Sequence, residues 1–349
     1  MFDFESMRER YRQLWTLENK TPLLLLRSHR NNMSYTKRPE NIKERWCNVD
    51  YIVKTARENF ENTVFHGDAF PLYNPNLGPD IFGATLGAEL VFEENTSYSV
   101  PFIETWDEKI SFDLQNKWWQ KLLEITNALV NESKGDYMVG ITDYHTGADA
   151  LVSIRGPEKL CFDVYDNRDI FNKMVEITLP AYKKQYEILY DITQKNQKGT
   201  SNWMGIYCEE PSNVTSCDFA YLISKGDFNE LVLPEIADEI NYFKGKTVFH
   251  LDGVGSLKHL DALLEIEELG GVQWVYGDGQ PTARHWIDVL KKIQAKNKIV
   301  NVLLYKEDVE PVLSALDPRG LICSFAFGTT ADEANEIIAL ANKYVLAHS

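Results

Sequence analysis

The feature that most constrains this chain is a repeated alternation of short β-rich runs with longer helical patterns. Candidate strands fall at residues 23–27, 63–66, 137–142, 215–219, 247–251, 272–276, 299–304 and 321–325. Among and after the later ones, apolar residues recur at helical spacing over 228–243, 256–266, 282–295, 309–316 and 330–347. Strand followed by helix, repeated, predicts a parallel sheet with crossover helices. Eight such strands, with no Gly-x-Gly-x-x-Gly turn after any of them, predict an α/β fold of the closed (β/α)8 TIM-barrel kind, not a doubly wound sheet.

The flanking segments fit one barrel. Phe4, Met7, Tyr11, Leu14 and Trp15 lie near helical spacing and predict an N-terminal helical extension. Residues 70–112 are rich in Pro, Gly and aromatics and predict a long irregular excursion, a lid or an outer wall. Nothing reads as a linker or a repeat, so residues 1–349 are taken as a single domain.

Charge narrows the partners. A formal charge of −16 repels a nucleic-acid backbone or an anionic membrane surface. The apolar run at 23–26 is far too short to span a bilayer. With no secretory signal read at the start, the five spread cysteines predict free thiols and a cytoplasmic protein.

In a parallel barrel, chemistry gathers where strands end. The run 247–251 leads through His250 to Asp252, and alternation puts both on one side. Cys217 closes the run at 215–219, and Cys323 lies within 321–325. One His, two Cys and a carboxylate match the ligands zinc prefers; either thiol is equally readable as a small buried apolar group. Asp143 and His145, with Asp149 beyond, follow 137–142 and are candidates for acid–base work or for helix capping. Tyr276 and Asp278 open a turn-rich loop at another strand end, where Asp278 is either a substrate contact or a turn former. Arg27, His29 and Arg30 offer positive charge to an anionic substrate, or are solvated loop residues. His66 and Asp68 end the second run, placed at the barrel mouth on this reading.

The stretch Phe249-His250-Leu251-Asp252-Gly253, followed by Gly271-Val272-Gln273-Trp274-Val275, resembles the uroporphyrinogen decarboxylase-like superfamily. Phe228 with Leu231-Val232-Leu233-Pro234, Ile154-Arg155-Gly156 with Phe162-Asp163, and the tail 321–340 resemble further shared segments, most clearly from residue 137 onward. The resemblance implies a TIM barrel acting on a small molecule, and two branches can be compared.

The decarboxylase branch implies Arg27 and Arg30 as carboxylate binders and Asp68 as the essential aspartate. Val152 and Phe327 stand where that branch carries a tyrosine and a histidine. The zinc methyltransferase branch implies a metal site of His250 and Cys323, completed by Cys217 or Asp252, with Asp252 replacing the usual cysteine. It further implies zinc as cofactor and a separate corrinoid protein as partner, with Asp143, His145 and Asp278 positioning the substrate. The leading expectation is therefore a zinc-dependent methyltransferase or demethylase. The alternatives are a decarboxylase or related lyase and a non-catalytic ligand-binding barrel.

Overall fold

The computed structural model describes residues 2–30, 33–108, 110–326 and 329–347; Phe327 lies outside them. The first helix, Phe4–Trp15, starts where the Asp3 carboxylate accepts the Ser6 N–H, and it buries Met7, Tyr11 and Leu14 along one face. The expected N-terminal helix is therefore present.

The main sheet has seven strands: β1 (Leu23–His29), β2 (Thr63–Gly67), β3 (Asn213–Ser216), β4 (Thr247–Asp252), β5 (Gly271–Val275), β6 (Ile299–Leu304) and β7 (Leu321–Phe325). Their order is β2-β1-β7-β6-β5-β4-β3, and every neighbouring pair is parallel except β1 with β2. Helices Leu233–Tyr242, Leu260–Leu264, Ile287–Gln294 and Lys306–Ala315 supply the crossovers that parallel strands require.

Alternation along each strand sorts side chains onto two faces. Leu23, Leu25, Val214, Val248, Ile299 and Ile322 share one apolar cluster with Met7, Tyr11 and Leu14. Leu24, Phe249, Leu251, Trp274, Val302 and Cys323 belong to the other, with Leu263, Leu290, Val312 and Ile337 of the covering helices. Met138, Met204 and Ile206 also enter the first cluster, bridging residues from β1 and β3 at opposite flanks of the sheet. The result is a mixed α/β structure compatible with an α/β barrel.

Three expectations change. The run 137–142 contributes only Met138–Val139, which pairs in parallel with Leu72–Tyr73 outside the main sheet. The run 215–219 ends at Ser216, and Asp218–Leu222 turns into a 3-10 helix. Third, β2 runs antiparallel to β1. The helix Val49–Asn62 delivers the chain straight into Thr63 beside His29, so β2 starts where β1 ends. The 70–112 excursion is more ordered than its composition predicts. It holds the buried helix Ile81–Thr85 and the hairpin Glu89–Phe92 with Ser97–Val100. Among the described residues, no helix is long and apolar enough to cross a membrane.

Candidate functional site

Three groups of side chains gather on the face of the sheet that the crossover helices leave uncovered, where the first helix packs, or at the carboxyl ends of its parallel strands. The first surrounds His145. Its Nε2 lies 3.5 Å from the Asp143 carboxylate, and its Nδ1 lies 3.6 Å from Asp149 and 3.7 Å from Asp218. These residues follow the strand Met138–Val139 and β3, and His145, Asp149, Val152 and Asp218 line a cavity of about 250 Å³. Burial alone would lower the His145 pKa, but the hydrogen bond and charge of Asp143, with the charges of Asp149 and Asp218, push it up to about 10. The imidazole is therefore a cation at neutral pH.

Asp149 does two things there. Its two oxygens accept the backbone N–H groups of Asp218 and Phe219 at 2.9 and 2.8 Å, capping the 3-10 helix and pinning it beside His145. Behind it, the buried Glu239 accepts hydrogen bonds from Thr146 and Thr215. Burial pushes the Glu239 carboxyl up to about 7. Gly147 has φ +53°, and a Cβ there would sit 1.0 Å from the Glu235 carboxylate, so only glycine fits between His145 and that acid.

The second group lies on the uncovered face. His250 Nδ1 is 2.6 Å from Gln273 Oε1, and the edge of Trp203 meets the imidazole at 5.1 Å between ring centres. Ser324 donates to Asn301 at 2.9 Å on neighbouring strands. The third group is a cavity of about 570 Å³ at the ends of β4, β5 and β6, lined by Asp252, Tyr276, Asp278, Tyr305 and Glu307 among others. Asp252, Tyr276 and Asp278 of the sequence reading thus share one cavity.

The expected zinc set of His250, Cys323, Cys217 and Asp252 is not brought together. Cys323 pairs in register with Leu24 and Val302 and faces the helices with them, whereas His250 shares parity with Val248 on the opposite face. One residue of register separates a ligand from a core thiol. Cys217 is buried, and burial with the nearby charges of Asp149 and Glu235 raises its pKa far above that of a free thiol. Among the described residues, the one group of His, Cys, Asp or Glu whose ligand atoms lie within 4.8 Å of one another is His145, Asp149 and Asp218.

The expected catalytic Asp68 also moves. Because β2 is antiparallel, its end lies beside the start of β1, away from the carboxyl ends of the parallel strands. There Asp68 accepts from Arg10 Nε at 2.8 Å and from the Leu24 N–H at 2.9 Å. Arg27 has its Nη2 close to Gly205, and the residue also lines a cavity of about 220 Å³ with Phe65, Tyr73 and Tyr137. Burial lowers its pKa. Arg30 is exposed beyond the end of β1. Gln273, Trp203, Glu239 and Asn301 went unnoticed in the sequence. The available signal was a polar residue at the uncovered-face parity inside an otherwise apolar strand, which marks Gln273 and Asn301.

No protein-family model matches the chain, and no curated protein matches it by sequence. A solved structure does match, a methyltransferase from Methanosarcina mazei, with a TM-score of 0.66 over 97% of this chain and 98% of that one. At 11% identity this likeness shows that the two chains share a fold over their whole lengths.

Proposed function

We propose that residues 1–349 form one α/β-barrel enzyme that transfers a methyl group to or from a small molecule, with His145 at the centre of its site. The observation that carries this reading is the imidazole of His145 held among Asp143, Asp149 and Asp218 in a cavity at strand ends. The shared fold with a methyltransferase supports the reaction class.

Zinc is part of the proposal, at a different place from the one the sequence implied. Two ligands on a tetrahedral zinc with bonds of about 2.0–2.1 Å lie roughly 3.4 Å apart. The 3.6 and 3.7 Å from His145 Nδ1 to Asp149 and Asp218 fit that spacing. Asp143 at Nε2 is placed as the carboxylate that orients a metal-binding imidazole. A bound ion would supply Lewis acidity toward a nitrogen, oxygen or sulfur atom. Without one, His145 holds a proton ready for a leaving group, and Asp143 keeps the ring oriented. A corrinoid protein is proposed as the carrier of the methyl group. Phe162, Tyr165, Tyr221 and Leu222 are exposed apolar side chains on segments adjoining the His145 cavity, suited to such a partner.

The test is transfer from methylcobalamin to small thiol and amine acceptors, followed by the absorbance of the corrinoid. We expect zinc-stimulated demethylation that His145→Gln lowers by at least about a hundredfold. Equal rates in the two proteins would remove His145 from the reaction.

A further inference from the structure

The cavity at the ends of β4, β5 and β6 has a composition that selects the sign of its ligand. Asp252, Asp278 and Glu307 line it, and no Lys, Arg or His does among the described residues. Of the cations beside its lining residues in sequence, Arg284 lies 3.9 Å from Asp308 and Lys306 pairs with Glu336. A concave surface with charge of one sign and low-dielectric walls concentrates ligands of the opposite sign.

A second observation is independent of the acids. Tyr276 lines the same cavity with 8% of its surface exposed, and its hydroxyl is buried with no hydrogen-bond partner. An orphaned buried hydroxyl costs free energy unless something occupies it. Tyr305 brings a second aromatic ring to the lining. The strand-end turn presents the acid by design of the backbone. Gly277 and Gly279, with φ +89° and +73°, flank Asp278 and fold the loop back over the cavity.

The geometry points to an organic ammonium group as the ligand of this cavity. We infer that this cavity takes a quaternary or tertiary ammonium compound, held by Asp252, Asp278 and Glu307 against Tyr276 and Tyr305. A bare divalent cation is the other ligand an acidic lining invites, and two features favour the organic one. The three carboxylates do not form a group with ligand atoms within 4.8 Å, whereas His145, Asp149 and Asp218 do. A space of about 570 Å³ is also far larger than one ion fills, and aromatic faces attract alkylammonium groups. The inference goes beyond the methyl-transfer reading, and binding at this cavity does not rest on it.

Calorimetry with choline, tetramethylammonium, 3,3-dimethylbutan-1-ol (the uncharged shape-mate of choline) and magnesium chloride tests it. We expect both ammonium compounds to bind, and the neutral alcohol to bind at least about tenfold more weakly than choline. Asp278→Asn should weaken both ammonium compounds several-fold, and added salt should weaken them further. Each variant's thermal midpoint verifies folding, and Asp278 and Glu307 are exposed. Equal binding of the neutral alcohol, binding indifferent to Asp278→Asn and Glu307→Gln, or binding of magnesium alone would each overturn the inference. Ammonium binding in a protein without methyl-transfer activity would uphold the cavity assignment and overturn the proposed reaction instead.

Discussion

His250 and Gln273 are register partners on β4 and β5, and the imidazole Nδ1 lies 2.6 Å from the amide Oε1. A carbonyl oxygen only accepts, so the imidazole donates to it through Nδ1–H. Gln273 thereby fixes the tautomer of a histidine on the uncovered face of the sheet. Replacing it by Leu removes the acceptor. Nitrogen-15 NMR of His250 should show the Nδ1–H form in the wild type and a shift toward the Nε2–H form in Gln273→Leu. An unchanged tautomer ratio would mean that Gln273 does not orient the ring.

The His145 group predicts a metal-dependent stability. Zinc that binds the folded state alone raises stability, and with it the unfolding midpoint, with the logarithm of ligand concentration over Kd. The wild type should gain several degrees in excess zinc and lose them again with a chelator. His145→Ala and Asp218→Asn should each abolish the gain, while His250→Ala and Cys323→Ser should keep it. A gain lost in His250→Ala instead would return the metal to β4.

Glu239 predicts a pH dependence. Its carboxyl is pushed up to about 7 by burial, against about 4.5 in the unfolded chain, and the charge of Asp149 adds to the shift. Glu235 and Tyr182 also lie within its field. Between those two values the folded state binds more protons than the unfolded one, so stability falls as pH rises. The loss is absent below about pH 4.5 and complete above about pH 7, and amounts to roughly 3 kcal/mol. Glu239→Gln mimics the protonated acid and should flatten this component. Urea unfolding at pH 5 and pH 8 checks it: the variant should gain on the wild type at pH 8. A constant difference between the two pH values would show that Glu239 does not titrate in this window.

Much of the sheet was legible because its signals are local. The β4 to β7 runs are apolar, bounded and followed by helical periodicity, and the structure has strands at those places. Placement at or just past a strand end was legible for Asp143, His145, Asp252, Tyr276 and Asp278, since each lies beside a recognisable strand. Strand direction was not legible. Nothing in Thr63–Gly67 reports that the preceding helix ends beside His29, and this moved Asp68 to the opposite end. Parity failed for Cys323, because β7 is apolar on both faces and its burial pattern carries no alternation from Leu321 to Cys323. The His145 cluster was half visible. Asp149 and Asp218 lie 69 residues apart and meet only through a side-chain cap on a backbone N–H.

The position of Asp68 yields the last prediction. Its carboxylate joins Arg10 of the first helix to the Leu24 N–H at the start of β1, and Arg10 also donates to the Pro22 carbonyl at 3.2 Å. The side chains are 28% and 12% exposed, so the pair is partly shielded from solvent. Removing one partner leaves the other charge without its counter-ion and frees the helix from the sheet. Asp68→Asn should therefore cost about 1–3 kcal/mol in urea unfolding. Arg10→Met should cost a similar amount, and the double variant less than the sum, because the two residues share one interaction. Neither change should alter ligand binding at the β4–β6 cavity or zinc binding at His145. If Asp68→Asn instead abolished methyl transfer while leaving the unfolding midpoint in place, Asp68 would belong to the reaction, and its role as an anchor would fall.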